Sequence, residues 1–182
     1  MKNQLRIIGG EWKRRTLPFA SIDGLRPTPD RIRETLFNWL MWDIQNAQVL
    51  DLCAGSGALG FEALSRGANH VLMIEPDATQ ARILKQNCQL LKAENCQILM
   101  TTAQQAIRKL QQQFDVVFID PPYSLNLWQE LAEQVDPFIQ DQGLIYIEAD
   151  RELSQLQLPT SWQKIKESKA GIVRAGLYQK GI

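Results

Sequence analysis

Cysteine is scarce in this chain and odd in number. Cys53, Cys88 and Cys96 are the only three, and their scattered spacing argues against both a disulfide framework and a zinc site. A reducing cytoplasm fits that usage. No apolar run is long enough to span a membrane, and no signal-peptide core follows the N-terminus, so no membrane partner is expected. Internal repeats and low-complexity tracts are lacking. An excess of either charge is lacking too: Lys plus Arg and Asp plus Glu stand at 20 each, so overall charge selects no partner. The only histidine, His70, opens an apolar strand and reads as structural. No long apolar stripe is left for a surface, which favours a monomer.

What remains is an ordinary globular composition. The 182 residues are 45% hydrophobic and 22% charged, enough for one domain with a real core. The charge is unevenly spread. Eight Lys and Arg against four Asp and Glu fall within the first 42 residues, a local net of +4 on an acidic remainder. A basic end on an acidic body points to an anionic partner met from one side. Residues 1–24, poor in periodicity, read as a basic arm or small hairpin, and residues 25–182 as the main domain. Thr28-Pro29-Asp30 reads as a helix start, with Thr28 capping and Ile32, Leu36, Phe37 and Leu40 at helical spacing.

From Gln48 the pattern alternates. Apolar strands are expected over 49–53, 70–74, 97–100, 114–119 and 143–148. Helices are expected over 59–66, 78–91, 103–112 and 127–135, with Gly67 closing the first and Asp77 capping the second. The tail, 162–168 and 172–179, reads as an antiparallel pair. Regular alternation means an α/β fold, a doubly wound and mostly parallel sheet, here of seven strands with the tail pair as its antiparallel edge.

Three constellations carry chemistry. The first runs from Val49 through Asp51-Leu52-Cys53-Ala54-Gly55-Ser56-Gly57 to Gly60, a strand entering a glycine loop and then a helix. Glycines there permit a tight turn and close approach of backbone to a ligand. The second is Glu75, at the end of the next strand, where a carboxylate accepts hydrogen bonds from ribose hydroxyls. Together they imply a nucleoside cofactor, NAD or S-adenosylmethionine. Asp51, just before the glycines, would repel a pyrophosphate and suit the cationic methionine end, which favours S-adenosylmethionine. The third is Asp120-Pro121-Pro122-Tyr123, closing the run Phe114–Ile119. Two prolines have no N–H to give a sheet, so the chain leaves the strand there. A carboxylate, outward carbonyls and an aromatic ring on a stiff corner suit an exocyclic amine and the ring that bears it.

That corner resembles the signature of S-adenosylmethionine-dependent methyltransferases acting on exocyclic or amide nitrogens. Two further segments narrow the resemblance. Arg6-Ile7-Ile8-Gly9-Gly10-x-x-Lys13-x-Arg15-x-Leu17 and Arg26-Pro27-Thr28-x-Asp30-Arg31-Ile32-Arg33-Glu34-Thr35-Leu36-Phe37-Asn38-Trp39-Leu40 look like the RsmD family, bacterial guanine-N2 methyltransferases of small-subunit (16S) ribosomal RNA. The resemblance covers nearly the whole chain. It implies a class I methyltransferase fold that binds S-adenosylmethionine and needs no metal. Cofactor contacts fall on Asp51, Ala54, Gly55, Ser56, Gly57 and Glu75. Many relatives place Asp or Asn after the third strand against the adenine; here Thr102 and Ala103 stand there. The amine site falls on Asp120, Pro121, Pro122 and Tyr123, with Tyr123 stacked on the base. Arg6, Lys13, Arg14, Arg15, Arg26 and Arg31 would grip ribosomal RNA, within an assembling 30S particle, with Trp12 stacking on a base or packing back on the domain. Alternatives within reach of the same corner are an adenine-N6 methyltransferase of DNA or RNA, a protein-glutamine methyltransferase, or a catalytically silent RNA-binding assembly factor. Trp39 and Trp42 are expected in or near the core, and Cys53 as a small buried residue.

Overall fold

A computed structural model describes residues 3–22, Leu25 and 27–182, so Arg26 lies outside the described residues. Strands β1 (Asn3–Arg6) and β2 (Thr16–Phe19) form an antiparallel hairpin. Helix α1 (Asp30–Trp39) leads into β3 (Gln48–Asp51), α2 (Ala58–Ser65), β4 (His70–Ile74), α3 (Ala78–Leu90), β5 (Cys96–Leu99) and α4 (Ala103–Arg108). Then follow β6 (Phe114–Ile119), α5 (Trp128–Val135), β7 (Ile139–Ala149), β8 (Trp162–Ala170) and β9 (Val173–Lys180). Seven strands make one sheet in the order β5-β4-β3-β6-β7-β9-β8. It is parallel through β7, and β9 runs antiparallel to β7 and β8.

Strand β6 shows why the sheet sits between two layers. Val116 and Phe118 enter a core shared with Ile32, Leu36 and Phe37 of α1, Phe61 of α2 and Leu84 of α3. Phe114, Val117 and Ile119 enter a second core with Ile107 of α4 and Leu131 and Val135 of α5. Successive side chains of a strand point to opposite faces, so a continuous apolar run can only be satisfied by cover on both.

The amino-terminal hairpin packs against α2. Glu62, fully buried, accepts the N–H groups of Ile8 and Gly9 at 2.9 Å each and pairs with Arg66 at 2.8 Å. Ile7, Trp12 and Leu17 join the first core, so Trp12 is packed inward and not held out to a base.

Several local readings change. Thr28 does not cap α1: the helix starts at Asp30, Pro29 holds the cap place, and no side chain among the described residues caps it. The Pro29 ring forces Thr28 into an extended conformation, one residue too early to cap. Trp42 is 87% exposed, because α1 ends before it and the chain continues through hydrogen-bonded turns from Leu40 to Ala47. Strand β7 begins four residues before the expected start; its exposed Gln140, Asp141 and Gln142 mask a strand that slips register on β6 between Phe114 and Val116. Cys88 of α3 and Cys96 of β5 lie bonded sulfur to sulfur, against the expectation from count and spacing.

Candidate functional site

The chain winds outward from β3 to β4 and β5, then returns to β6 beside β3. Where a parallel sheet reverses its winding, the strand ends part and leave a crevice at their carboxyl edge. A cavity of about 640 Å³ occupies it. The loop after β3 supplies Leu52 to Ser56, the end of β4 supplies Glu75, the start of α4 supplies Thr102 and Ala103, and the end of β6 supplies Asp120, Pro121 and Pro122. Ile22, Leu25 and Thr28 line it from the segment between β2 and α1.

The glycine loop is shaped by backbone that only glycine adopts freely. Gly55 has φ +54° and Gly57 φ +85°. A Cβ on Gly57 would lie 2.5 Å from the Phe61 ring, and one on Gly55 would lie 2.9 Å from Leu25 Cδ1. Gly57 and Asp51 do not face the cavity; they support the loop that does. Ser56 is buried and its hydroxyl accepts the Ala58 N–H at 3.3 Å.

Glu75 is nearly buried at the cavity wall. Its Oε1 accepts the Gly55 N–H at 3.0 Å and its Oε2 the Asp77 N–H at 2.8 Å. Each oxygen keeps a second acceptor direction, which suits a diol. Burial raises its pKa, the two N–H groups pull it back, and Asp77 adds to the rise. Asp51 is pushed up to about 7, chiefly by burial, with Glu75 adding to the rise. The N–H groups of Cys53 and Gly60 lower it in part, yet neither carboxylate oxygen has a partner in hydrogen-bonding geometry among the described residues. A buried anion left in that state favours a cation nearby. Among these carboxylates the Cys53 thiol is pushed well up, first by burial and then by Asp51, Asp120 and Glu75, so it stays protonated.

Thr102 caps α4, accepting the Gln105 N–H at 3.2 Å, and with Ala103 forms the wall after β5. Thr28 donates from Oγ1 to Asp120 Oδ2 at 3.4 Å. Behind the corner, Tyr123 is buried: its hydroxyl donates to Glu148 Oε2 at 2.9 Å, and its ring packs on Trp128 with centroids 6.0 Å apart. Tyr146 donates to the other oxygen of Glu148 at 2.7 Å. Tyr123 therefore does not line the cavity, a correction to its expected place stacked on a base. Pro121 and Pro122 turn the chain so sharply that the ring folds back under the corner.

The basic residues divide between two ends of the molecule. Arg15 donates to the Leu90 carbonyl at 3.3 Å, and the Trp12 N–H donates to Ser65 Oγ at 2.9 Å. Leu90 and Ser65 close α3 and α2, both of which start at the cavity and run away from it. Helix α3 has 13 residues, about 20 Å of helix at 1.5 Å per residue. Exposed Lys13, Arg14 and Arg15 thus sit at the far edge of the sheet, as does Arg6, which pairs with Thr16 beside Arg15. Arg31 alone of the described set stands at the cavity end, donating to the Lys169 carbonyl at 3.0 Å.

Two positions escaped the sequence reading. Gln80 donates to the Gly55 carbonyl at 2.7 Å and accepts the Ala20 N–H at 2.8 Å, tying the glycine loop to the front segment. Its only sequence signal is its place one turn after Asp77, whose side chain accepts its N–H. Glu148 hides in an apolar strand, and nothing local marks it.

The chain is similar to proteins of known description along nearly its full length. A family model described as Conserved hypothetical protein 95 matches residues 5–179. A Haemophilus influenzae protein named ribosomal RNA small subunit methyltransferase D is 43% identical over 184 residues, 98% of this chain and 95% of the relative. An Escherichia coli protein of the same name is 42% identical over 179 residues, 97% of this chain and 90% of the relative. A solved Escherichia coli structure superposes with a TM-score of 0.91 at 42% identity, covering 98% and 99% of the two chains.

Proposed function

Because the chain belongs to the ribosomal RNA small subunit methyltransferase D family, we propose that it methylates the exocyclic N2 amine of a guanine in small-subunit ribosomal RNA, using S-adenosylmethionine. The observation that carries this reading is one cavity walled by both Glu75 and the Asp120-Pro121-Pro122 corner. A nucleoside held by the first reaches an amine held by the second.

The residues fit the cofactor. Gly55 and Ala54 leave room for it, Glu75 has acceptor directions that would suit its ribose, and Thr102 with Ala103 would border the adenine. Asp51, buried and without a hydrogen-bond partner among the described residues, favours its positive charge from beneath the loop. When bound, S-adenosylmethionine supplies an electrophilic methyl group.

The protein's task is then the amine. The lone pair of a guanine N2 is delocalised into the ring, so the nitrogen is a poor nucleophile. Asp120 and the Pro121 carbonyl accept its two N–H bonds and turn the lone pair toward the cavity. Thr28 steadies the Asp120 carboxylate through Oδ2. The rate gain expected of such a site is mainly positional. A base inside folded RNA reaches the corner only by leaving its stack. Lys13, Arg14 and Arg15, at the far end, serve as a remote phosphate contact on a large RNA or particle.

The test supplies radiolabelled S-adenosylmethionine with naked ribosomal RNA, the small subunit and duplex DNA, then digests to nucleosides. Label in N2-methylguanosine from small-subunit material supports the reading. Label in N6-methyladenosine, or none, sinks it.

A further inference from the structure

We propose that the turn between β8 and β9 is a second RNA-binding surface, stiffened by Arg174, which holds the strand beside the extruded guanine through Lys169 and an apolar wedge, Ile172. The inference rests on the ribosomal RNA reading above and adds where the strand runs.

The register fixes the position of the turn. Ile119 pairs with Ile147, and Ile147 with Gly176, so Asp120 stands level with Glu148 and Ala175. Val173, paired with Ala170 across the turn, lies two residues beyond Ala175. The tip therefore rises about 7 Å above the level of the amine corner, at 3.3 Å per residue. Sideways it is two to three strands away, about 10 to 14 Å at 4.8 Å per strand. A stacked strand advances about 3.4 Å per nucleotide, so that gap is three or four nucleotides. An independent path agrees: Thr28 touches Asp120, and Arg31, three residues later at the start of α1, touches the Lys169 carbonyl.

Ala170 and Val173 anchor the turn on the domain, while Lys169, Gly171 and Ile172 project from it with the chemistry for a nucleic acid. Ile172 is 70% exposed at the turn. A Cβ built on Gly171 would meet nothing within 4 Å. Lys169 is exposed, with Arg31 beside it. Arg174 donates to the carbonyls of Gly171 and Val173 at 2.8 and 3.3 Å and pairs with Glu152 at 3.2 Å, which stiffens the turn. A stiff, cationic hairpin tip with one apolar side chain matches how apolar residues enter between bases while neighbouring cations meet phosphates. An extruded base leaves its neighbours unstacked, which is what such a wedge meets. The amino-terminal cluster cannot do this, since it stands at the opposite edge of the sheet.

The experiment measures methylation of small subunits, and equilibrium binding of naked small-subunit ribosomal RNA over a salt series, for the wild type, Lys169→Glu, Ile172→Ala and the double variant. Calorimetry with S-adenosylmethionine reports that each variant keeps its cofactor site. The double variant is expected to raise KM at least 10-fold with kcat within about twofold. Lys169→Glu should also lower the salt slope of RNA binding by about one. A wild type that labels small subunits while all variants keep its KM and salt slope overturns this surface and spares the functional reading. A KM change confined to particles, with naked-RNA binding untouched, overturns it in favour of a protein contact. A wild type that labels nothing overturns both.

Discussion

The buried Asp51 makes stability depend on pH in a direction opposite to most carboxylates. Its folded pKa is pushed up to about 7, against about 3.9 in an unfolded chain. Between those values the folded state holds a proton that the unfolded state has released. Stability contributed by Asp51 is therefore complete below about pH 4 and is lost as pH rises toward about 7. The shift of roughly three units corresponds to at most about 4 kcal/mol, at 1.36 kcal/mol per unit. Asp51→Asn keeps the shape and removes the titration. Urea unfolding of cofactor-free protein at several pH values from about 5 to 8 isolates the effect as the difference between wild type and variant. The variant should gain up to about 3 kcal/mol on the wild type across that range. Glu75 also has a raised pKa and contributes the same sign in both proteins, so it cancels in the difference apart from its charge coupling to Asp51. Parallel stability curves would refute the reasoning and mean that the Cys53 and Gly60 N–H groups solvate the carboxylate fully.

Other perturbations test the site and its supports. Asp120→Ala should leave cofactor affinity by calorimetry within about threefold and cut turnover by about 10²-fold or more; loss of cofactor binding would move Asp120 into the cofactor site. Gly57→Ala places a Cβ against Phe61 at φ +85° and should destabilise by about 1–3 kcal/mol in a denaturant melt. Gln80→Ala strands the Gly55 carbonyl and the Ala20 N–H; a loss of about 2–4 kcal/mol and weaker cofactor binding are expected, and an unchanged cofactor affinity would deny the loop its dependence on the front segment. Replacing Lys13, Arg14 and Arg15 with Ala should flatten the salt dependence of RNA binding with kcat unchanged; an unaltered slope would return them to a solvated face.

Local and periodic signals carried a long way. The apolar run of β6 needs cover on both faces wherever it lies, so an α/β sheet follows from its composition. Two prolines must end that strand, and Gly55 and Gly57 must turn the chain after β3, because these are constraints on single residues. Asp77 caps α3 as its neighbours demand. What no local signal held was which distant groups meet. Thr28 looked like a cap and lies beside Asp120, 92 residues away. Tyr123 looked like a stacking platform and folds onto Glu148 because a buried carboxylate needs donors. The basic arm was legible as charge, but its distance from the cavity is set by the direction in which α2 and α3 run. The β8–β9 tip reached the cavity end only because β9 pairs with β7 in one register. Sequence determined the elements and the chemistry each carries, since those follow from backbone freedom and side-chain type. Tertiary structure alone decided their neighbours, since pairing register and helix direction are settled by burial across the whole sheet.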